Sequence, residues 1–423
     1  MSRRAKRIVW IVLAVMAAIA VAAAGVAIYY TRILKDTLDR VTSPEETQSV
    51  YAVYVLQEDA AQTIGDTAGY PYGVTRSDAD WERQEQALLR LEEGLGAVPA
   101  VTEYADLFAL ADALRQQECR AVLFNEAYRD SLAETAGYEW TQAGLRRLDT
   151  YAFSHEDDVV WEVPNDLPET FVAYISGIDT YGGLSARSRS DVNILAAVNT
   201  RTRQLCLVAT PRDFYVKFAA SKGQKDKLTH AGIYGVANSV DALERLYGVE
   251  IDYYVRLNFS GFVQIIDALG GIEVYSEYDF TVENIREYHR GINQLTGLEA
   301  LAFARERYSF PSGDYQRAKN QMEVIRAVVQ KCASPAILKN YRSVMEAIAG
   351  NVETNMPQDQ ILSLVRAQLA SGGEWGISTQ TVSGTSAYRE TYSMPGHELY
   401  VILPDPQSVE AAKNSLQAVR SAG

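Results

Sequence analysis

Cysteine and histidine are scarce in this chain of 423 residues, which has three of the first and four of the second. Cys119, Cys206 and Cys332 cannot build a disulfide framework, and no cysteine–histidine spacing matches a zinc site. Cys206, within Leu205-Cys206-Leu207-Val208, reads as a buried free thiol. Basic excess is missing too. The formal net charge is −14, and an acidic surface repels polyanions, which argues against nucleic acid as a partner. Tyr181-Gly182-Gly183 and Gly270-Gly271 match neither a phosphate loop nor a dinucleotide fingerprint. Ser176-Gly177 lacks the nucleophile-elbow pattern, and His230, His289 and His397 have no evident serine partner, so covalent catalysis is not indicated. Internal repeats and low-complexity tracts are absent.

Long hydrophobic runs are absent with one exception. Residues 8–30 are uncharged and almost wholly apolar, and these 23 residues suffice to cross a hydrocarbon core as a helix. Arg3, Arg4, Lys6 and Arg7 precede them. The pattern predicts a cytoplasmic segment 1–7, a single transmembrane anchor 8–30, and the remainder outside the cell membrane. A cleaved signal peptide is the rival, with Ala22-Ala23-Ala24 as its cleavage region, but its apolar core would span only about 7–15 residues. Residues 31–47 read as a linker.

Charge divides the rest of the chain. Residues 36–165 carry 9 Lys and Arg against 26 Asp and Glu, whereas residues 166–423 carry 25 against 28. Strands near 50–56, 72–74, 98–104 and 120–124 alternate with helices near 80–93, 106–116 and 126–135. They predict a small acidic α/β domain over 48–164. A polar, proline-marked stretch at 154–168 separates it from a second domain over 165–423. There, strands are expected at 171–176, 192–198, 204–209, 251–257, 272–275 and 400–403. Helices are expected at 233–247, 259–269, 296–307, 314–333, 335–350, 357–370 and 407–419. The fold class is α/β, with the second domain an α-β-α sandwich.

The second domain holds the residues suited to chemistry. Asp179 ends Ser-Gly-Ile-Asp179, and Arg189-Ser190-Asp191, Pro211-Arg212-Asp213, Arg305-Glu306-Arg307 and Asp314-x-x-Arg317-x-x-x-Gln321 come after it. Guanidinium forks suit phosphate oxygens, and paired carboxylates suit a divalent cation. Together they are equipment for phosphoryl transfer. Each also has an ordinary role. Asp314 can cap a helix, Asp179 can make a turn, Asp191 can pair with Arg189, and Asp213 can orient Arg212. Arg317 and Gln321 are four apart and share a helix face. Arg305 and Arg307 are two apart and converge only if their helix ends between them.

The order of these motifs resembles the LytR-CpsA-Psr family. The resemblance runs through Ile-Ser-Gly-Ile-Asp179, Arg189-Ser-Asp191, Thr-Pro-Arg212-Asp213 and Lys227-Leu-Thr-His-Ala-Gly-Ile-Tyr-Gly235. It continues through Asp252-Tyr-Tyr-Val-Arg-Leu-Asn258, Leu269-Gly-Gly-Ile272 and Leu298-Glu-Ala-Leu-Ala-Phe-Ala-Arg305-Glu-Arg307. It closes with Asp314-x-x-Arg317-x-x-x-Gln321, covering roughly residues 170–335. The segment from Ser383-Gly-Thr-Ser to Met394-Pro-Gly and the extra acidic domain look most like the capsule-associated CpsA branch.

The resemblance implies a catalytic domain preceded by an accessory one. It implies transfer of an anionic glycopolymer, capsular or teichoic-acid-like, from undecaprenyl pyrophosphate to peptidoglycan, with undecaprenyl phosphate released. It implies pyrophosphate binding by Arg189, Arg212, Lys227, Arg305, Arg307, Arg317 and Gln321, and magnesium (or manganese) held by Asp179 and Asp191. It implies an apolar pocket for the polyprenyl tail. On this basis Arg189, Asp191, Arg212, Asp213 and Arg317 are the candidate catalytic residues, with Asp191 or Asp213 as candidate bases. A hydrolase using the same site and a non-catalytic wall-polymer regulator are the competing readings. The acidic domain is a candidate for repelling polymer or docking a partner in polymer export.

Overall fold

Hydrophobic patterning builds two sheets that share a boundary. The computed structural model describes residues 36–42, 47–76, 81–155, 163–178, 184–333, 340–371 and 373–422. The expected membrane segment 8–30 and Asp179 lie outside the described residues. Among the described residues no helix is long and apolar enough to cross a membrane.

The first sheet comprises β1 (Gln48–Leu56), β2 (Pro71–Thr75), β3 (Ala100–Tyr104), β4 (Ala121–Asn125) and β5 (Leu145–Ser154), in the spatial order β3-β2-β4-β1-β5. β1 is apolar almost throughout because both of its faces are covered. Tyr51, Val53 and Val55 pack against helix α1 (Trp81–Leu95) through Ala87 and Leu91. Ala52 and Tyr54 face helix α2 (Leu107–Arg115). α2 starts where the Asp106 carboxylate accepts from the amides of Phe108 and Ala109 at 2.9 and 2.8 Å, satisfying two otherwise orphaned donors. β5 was not expected. Its run Arg146-Arg147-Leu148-Asp149 hides the alternation, because polar side chains suit an edge strand paired on one side only. The helix expected at 126–135 is a 3₁₀ turn followed by a short α3 (Arg129–Ala133).

The second sheet has six strands: β6 (Thr170–Ile178), β7 (Ser190–Asn199), β8 (Gln204–Ala209), β9 (Tyr253–Asn258), β10 (Val352–Thr354) and β11 (Gly376–Thr381). Their order is β10-β9-β6-β7-β8-β11. β6, β7 and β8 form an antiparallel meander, while β9 joins β6 and β11 joins β8 in parallel. Helices α4 (Val236–Tyr247), α5 (Phe259–Ala268), α6 (Gly297–Arg305), α7 (Asp314–Ala333), α8 (Tyr341–Ile348), α9 (Gln358–Ser371) and α10 (Pro406–Ser421) succeed one another in the chain.

Period two along β7 sends Leu195 and Ala197 toward α4 and α10, and Ile194 and Ala196 toward α7. The result is an α-β-α sandwich. α4 ends at Gly248, whose φ of +62° closes the helix in the left-handed region.

The two sheets are joined by apolar and polar contacts. The core beneath α2 takes in Ile233, Met394 and Leu399 from the second domain. The Gln48 amide donates to the Ser185 carbonyl at 2.7 Å, and the Arg187 amide returns a bond to Gln48 at 2.8 Å. This docking sets α3 against the ends of β7 and β8, where the candidate site residues gather.

Candidate active site

Antiparallel pairing of β7 with β8 places Arg189 and Asp191, at the start of one strand, beside Arg212 and Asp213, just after the other. Both arginines are buried, with side chains 4% and 5% exposed. Arg212 uses its fork on two carboxylates: Nη1 donates to Asp191 Oδ2 at 2.9 Å and Nη2 to Glu134 Oε2 at 2.9 Å. Arg189 Nη1 donates to the same Glu134 oxygen at 3.1 Å, and its Nη2 lies 3.6 Å from Asp130.

The segment after β8 folds back over the strand ends. Lys227 pairs with Asp213 at 3.0 Å, and the Thr229 hydroxyl donates to Asp191 Oδ1 at 3.0 Å. Gly232 permits this approach, since a Cβ there would sit 2.7 Å from the Ser188 carbonyl oxygen.

Burial alone would raise the carboxyls of Asp191 and Asp213, yet both are lowered. Arg212, Arg189 and Arg317 outweigh burial at Asp191 and hold it far below the usual carboxylate range. Lys227, Arg212 and Arg317 bring Asp213 down to about 2. Glu134 is also lowered: its burial is outweighed by Arg212 and Arg189. Carboxylates so stabilised are poor proton acceptors at neutral pH. Either aspartate is therefore better suited to orienting cations than to acting as the base.

Beside this cluster opens an apolar cavity of ≈ 470 Å³ between the sheet and helices α5, α6 and α7. Ile175, Val255 and Leu257 line its floor, and Phe262, Leu301 and Val328 line its helical walls. Arg212, Arg305, Arg307, Arg317 and Gln321 border it together with Asp191 and Glu134. Arg305 and Arg307 converge because α6 ends at Arg305 and Glu306 turns extended, at φ −64° and ψ 131°. The Arg305 guanidinium lies over the Phe259 ring at 4.4 Å. A second cavity of ≈ 710 Å³ shares Glu134, Arg212, Arg307 and Tyr308 with the first and adds Asp213, Lys227, Tyr315 and Tyr400. Of the predicted set, Arg189 borders neither cavity, and Glu134 and Asp130 lie against its guanidinium.

For a divalent cation, Asp191 is a fitting oxygen donor. Each of its oxygens accepts one bond and retains a further lone pair, and magnesium commonly takes one or two carboxylates with substrate phosphate. Among the described residues no group of three His, Cys, Asp or Glu side chains forms a protein-only metal cage.

Two features escaped the sequence reading. Glu134 and Asp130 come from the other domain, one capping the C-terminal end of α3 and the other in its first turn, where the pattern is that of an ordinary amphipathic surface. His230, expected to lack a serine partner, has one: it donates Nδ1–H to Asp226 at 2.7 Å and accepts the Ser131 hydroxyl at Nε2, 3.1 Å away. The group cannot act as a nucleophilic triad, because the Ser131 hydroxyl is itself buried with His230 and Asp226 and no substrate can reach it. It fastens α3 to the second domain. Cys119, Cys206 and Cys332 are all free thiols, the first two buried.

The fold and site define a class: an α-β-α protein that presents several arginines at the mouth of an apolar cavity. The LytR-CpsA-Psr family model matches residues 146–416, and the chain belongs to that family. A Bacillus cereus relative is 37% identical over 204 residues, covering 48% of this chain and 66% of the relative. That relative is a polyisoprenyl-teichoic acid–peptidoglycan teichoic acid transferase, TagU. The Enterococcus faecalis protein of the same name is 36% identical over 234 residues, covering 53% of this chain and 74% of the relative. The chain thus spans just under two thirds of the B. cereus relative's length. The crystal structure of B. subtilis TagV aligns with a TM-score of 0.50 at 26% identity, covering 60% of this chain and 99% of that one.

Proposed function

We propose that this protein transfers an anionic glycopolymer, of teichoic-acid or capsular type, from a polyprenyl pyrophosphate carrier to peptidoglycan. One observation carries the reading: Arg212, Arg305, Arg307 and Arg317 ring the mouth of an apolar cavity. That arrangement suits an amphiphile with a pyrophosphate head and a hydrocarbon tail. Relatives at 36–37% identity, named as polyisoprenyl-teichoic acid–peptidoglycan teichoic acid transferases, support it.

The tail would lie between the sheet and α5–α7, and the sugar and acceptor would approach through the second cavity. An acceptor hydroxyl oxygen bonds to the sugar-proximal phosphorus. The bond from that phosphorus to the bridging oxygen breaks, polyprenyl phosphate leaves with the electron pair, and the hydroxyl proton passes to solvent. A loose phosphoryl transition state demands little of a base and much of positioning and charge. The arginines supply both, gathering negative charge on the equatorial and leaving oxygens. Asp191 and Asp213 hold Arg212 and Lys227 in place for this task. Magnesium or manganese, held by Asp191 together with Asp179, would add Lewis-acid neutralisation of the phosphate oxygens.

The apolar run at 8–30, with basic residues before it, supports a membrane anchor that leaves the catalytic domain on the outer face, near lipid carrier and wall. Supplying lipid-linked polymer and magnesium, with and without peptidoglycan, tests the proposal. Product formation is expected only with acceptor. Polymer release at the same rate without acceptor would show a hydrolase instead, and binding without turnover would show a regulator.

A further inference from the structure

Glu134 is a site feature that the transfer reaction does not account for. It lies before the range matched by the family model, in the N-terminal domain, yet it borders both cavities and pairs with two arginines. Its position is built. Ser131, three residues earlier on α3, is fastened to His230, and the Glu134 amide closes the helix on the Asp130 carbonyl at 2.9 Å. Two buried guanidinium groups need counter-charge, and a carboxylate takes from their forks the same donors that a phosphate oxygen takes.

We propose that Glu134 is an affinity-determining residue: its carboxylate occupies an oxyanion position of the phosphate site, and an incoming pyrophosphate displaces it from Arg212, which borders both cavities. The inference rests on the pyrophosphate reading above. A carboxylate left against phosphate oxygens would meet like charge, whereas one that yields leaves the Nη2 arm of Arg212 to the substrate. The route outward exists. The Glu134 side chain is 36% exposed, and the chain turns away three residues later at Gly137, where φ is +90°. The N-terminal domain thereby sets the threshold for anion binding.

The test uses the full-length protein in detergent, titrated calorimetrically with farnesyl pyrophosphate. Glu134→Gln keeps the side-chain size and removes the charge. It is expected to bind at least ~10-fold more tightly than the unmodified protein. The ligand-free variant is also expected to melt at a lower temperature, because Arg189 and Arg212 lose counter-charge, and to gain more thermal stability from inorganic pyrophosphate. Equal or weaker binding by a folded Glu134→Gln protein overturns the proposal and leaves the pyrophosphate reading standing. If neither protein binds, the pyrophosphate reading fails and the proposal with it. Should Glu134→Gln fail to fold, Glu134→Asp, one methylene shorter and drawn back from Arg212, is expected to bind more tightly. Equal affinity there overturns the proposal in the same way.

Discussion

Arg317→Ala probes the site most directly. Arg317 lies on α7 four residues before Gln321, and both border the apolar cavity. Its charge lowers both Asp191 and Asp213, which places it against the cluster formed by the ends of β7 and β8. Alanine removes a guanidinium from the mouth of the cavity but leaves Arg212 on Asp191 at 2.9 Å and Lys227 on Asp213 at 3.0 Å. The main ion pairs persist, so the variant is expected to fold.

An arginine that meets the transferring phosphoryl group is worth roughly 10³–10⁵ in rate, or about 4–7 kcal/mol of barrier. Arg212, Arg305 and Arg307 remain at the mouth, so the loss is expected near the lower end, about 10³. Single-turnover transfer from lipid-linked polymer to peptidoglycan, with circular dichroism to verify folding, measures it. Arg317→Lys keeps the charge but loses the planar fork, and should fall between the two. A folded Arg317→Ala protein within about three-fold of the unmodified rate would refute the assignment of Arg317 to the phosphoryl site, since a transition-state contact cannot cost so little.

Three further outcomes are expected. Asp213 titrates at about 2 in the folded protein against its usual 3.8, so its share of stability is present above pH 4 and lost as pH falls toward 2. Asp213→Asn should remove about 2 kcal/mol of that acid dependence, read from urea unfolding across this window. Val328→Trp adds an indole to the wall of the apolar cavity. Farnesyl pyrophosphate should then bind at least ~10-fold more weakly while inorganic pyrophosphate binding holds, and equal losses for both would show that the cavity does not take the tail. Ser131→Ala strips His230 Nε2 of its 3.1 Å partner in a buried setting. A loss of about 1–3 kcal/mol in unfolding free energy is expected, and no loss would mean that this bond does not fasten α3.

Much of the architecture was legible because burial writes a period into the sequence. β6, β7 and β8 carry apolar runs such as Phe171–Ile175, Ile194–Val198 and Leu205–Ala209 because both faces of the sheet are covered, and α4 carries its own stop at Gly248. β5 was missed because an edge strand with one solvated face carries arginines and an aspartate where a central strand would be apolar. The hairpin formed by 384–389 and 399–404 was only half expected for a similar reason, since the first of these strands is largely exposed and polar.

The sequence by itself determined the chemical inventory: arginines and aspartates in family order, an apolar leader preceded by basic residues, and too few cysteines and histidines for zinc or disulfide chemistry. Linear order carries residue type and local period, and these suffice for the charge inventory and for the strands and helices that bear it. Only the tertiary structure decided which charges meet. α6 ends between Arg305 and Arg307 and aims both at one cavity. Docking of the N-terminal domain brings Glu134 to Arg189 and Arg212, 55 and 78 residues further along the chain. Coulomb forces and packing act through space, so the partner of a buried charge is chosen by the fold and leaves no spacing in the sequence by which to find it.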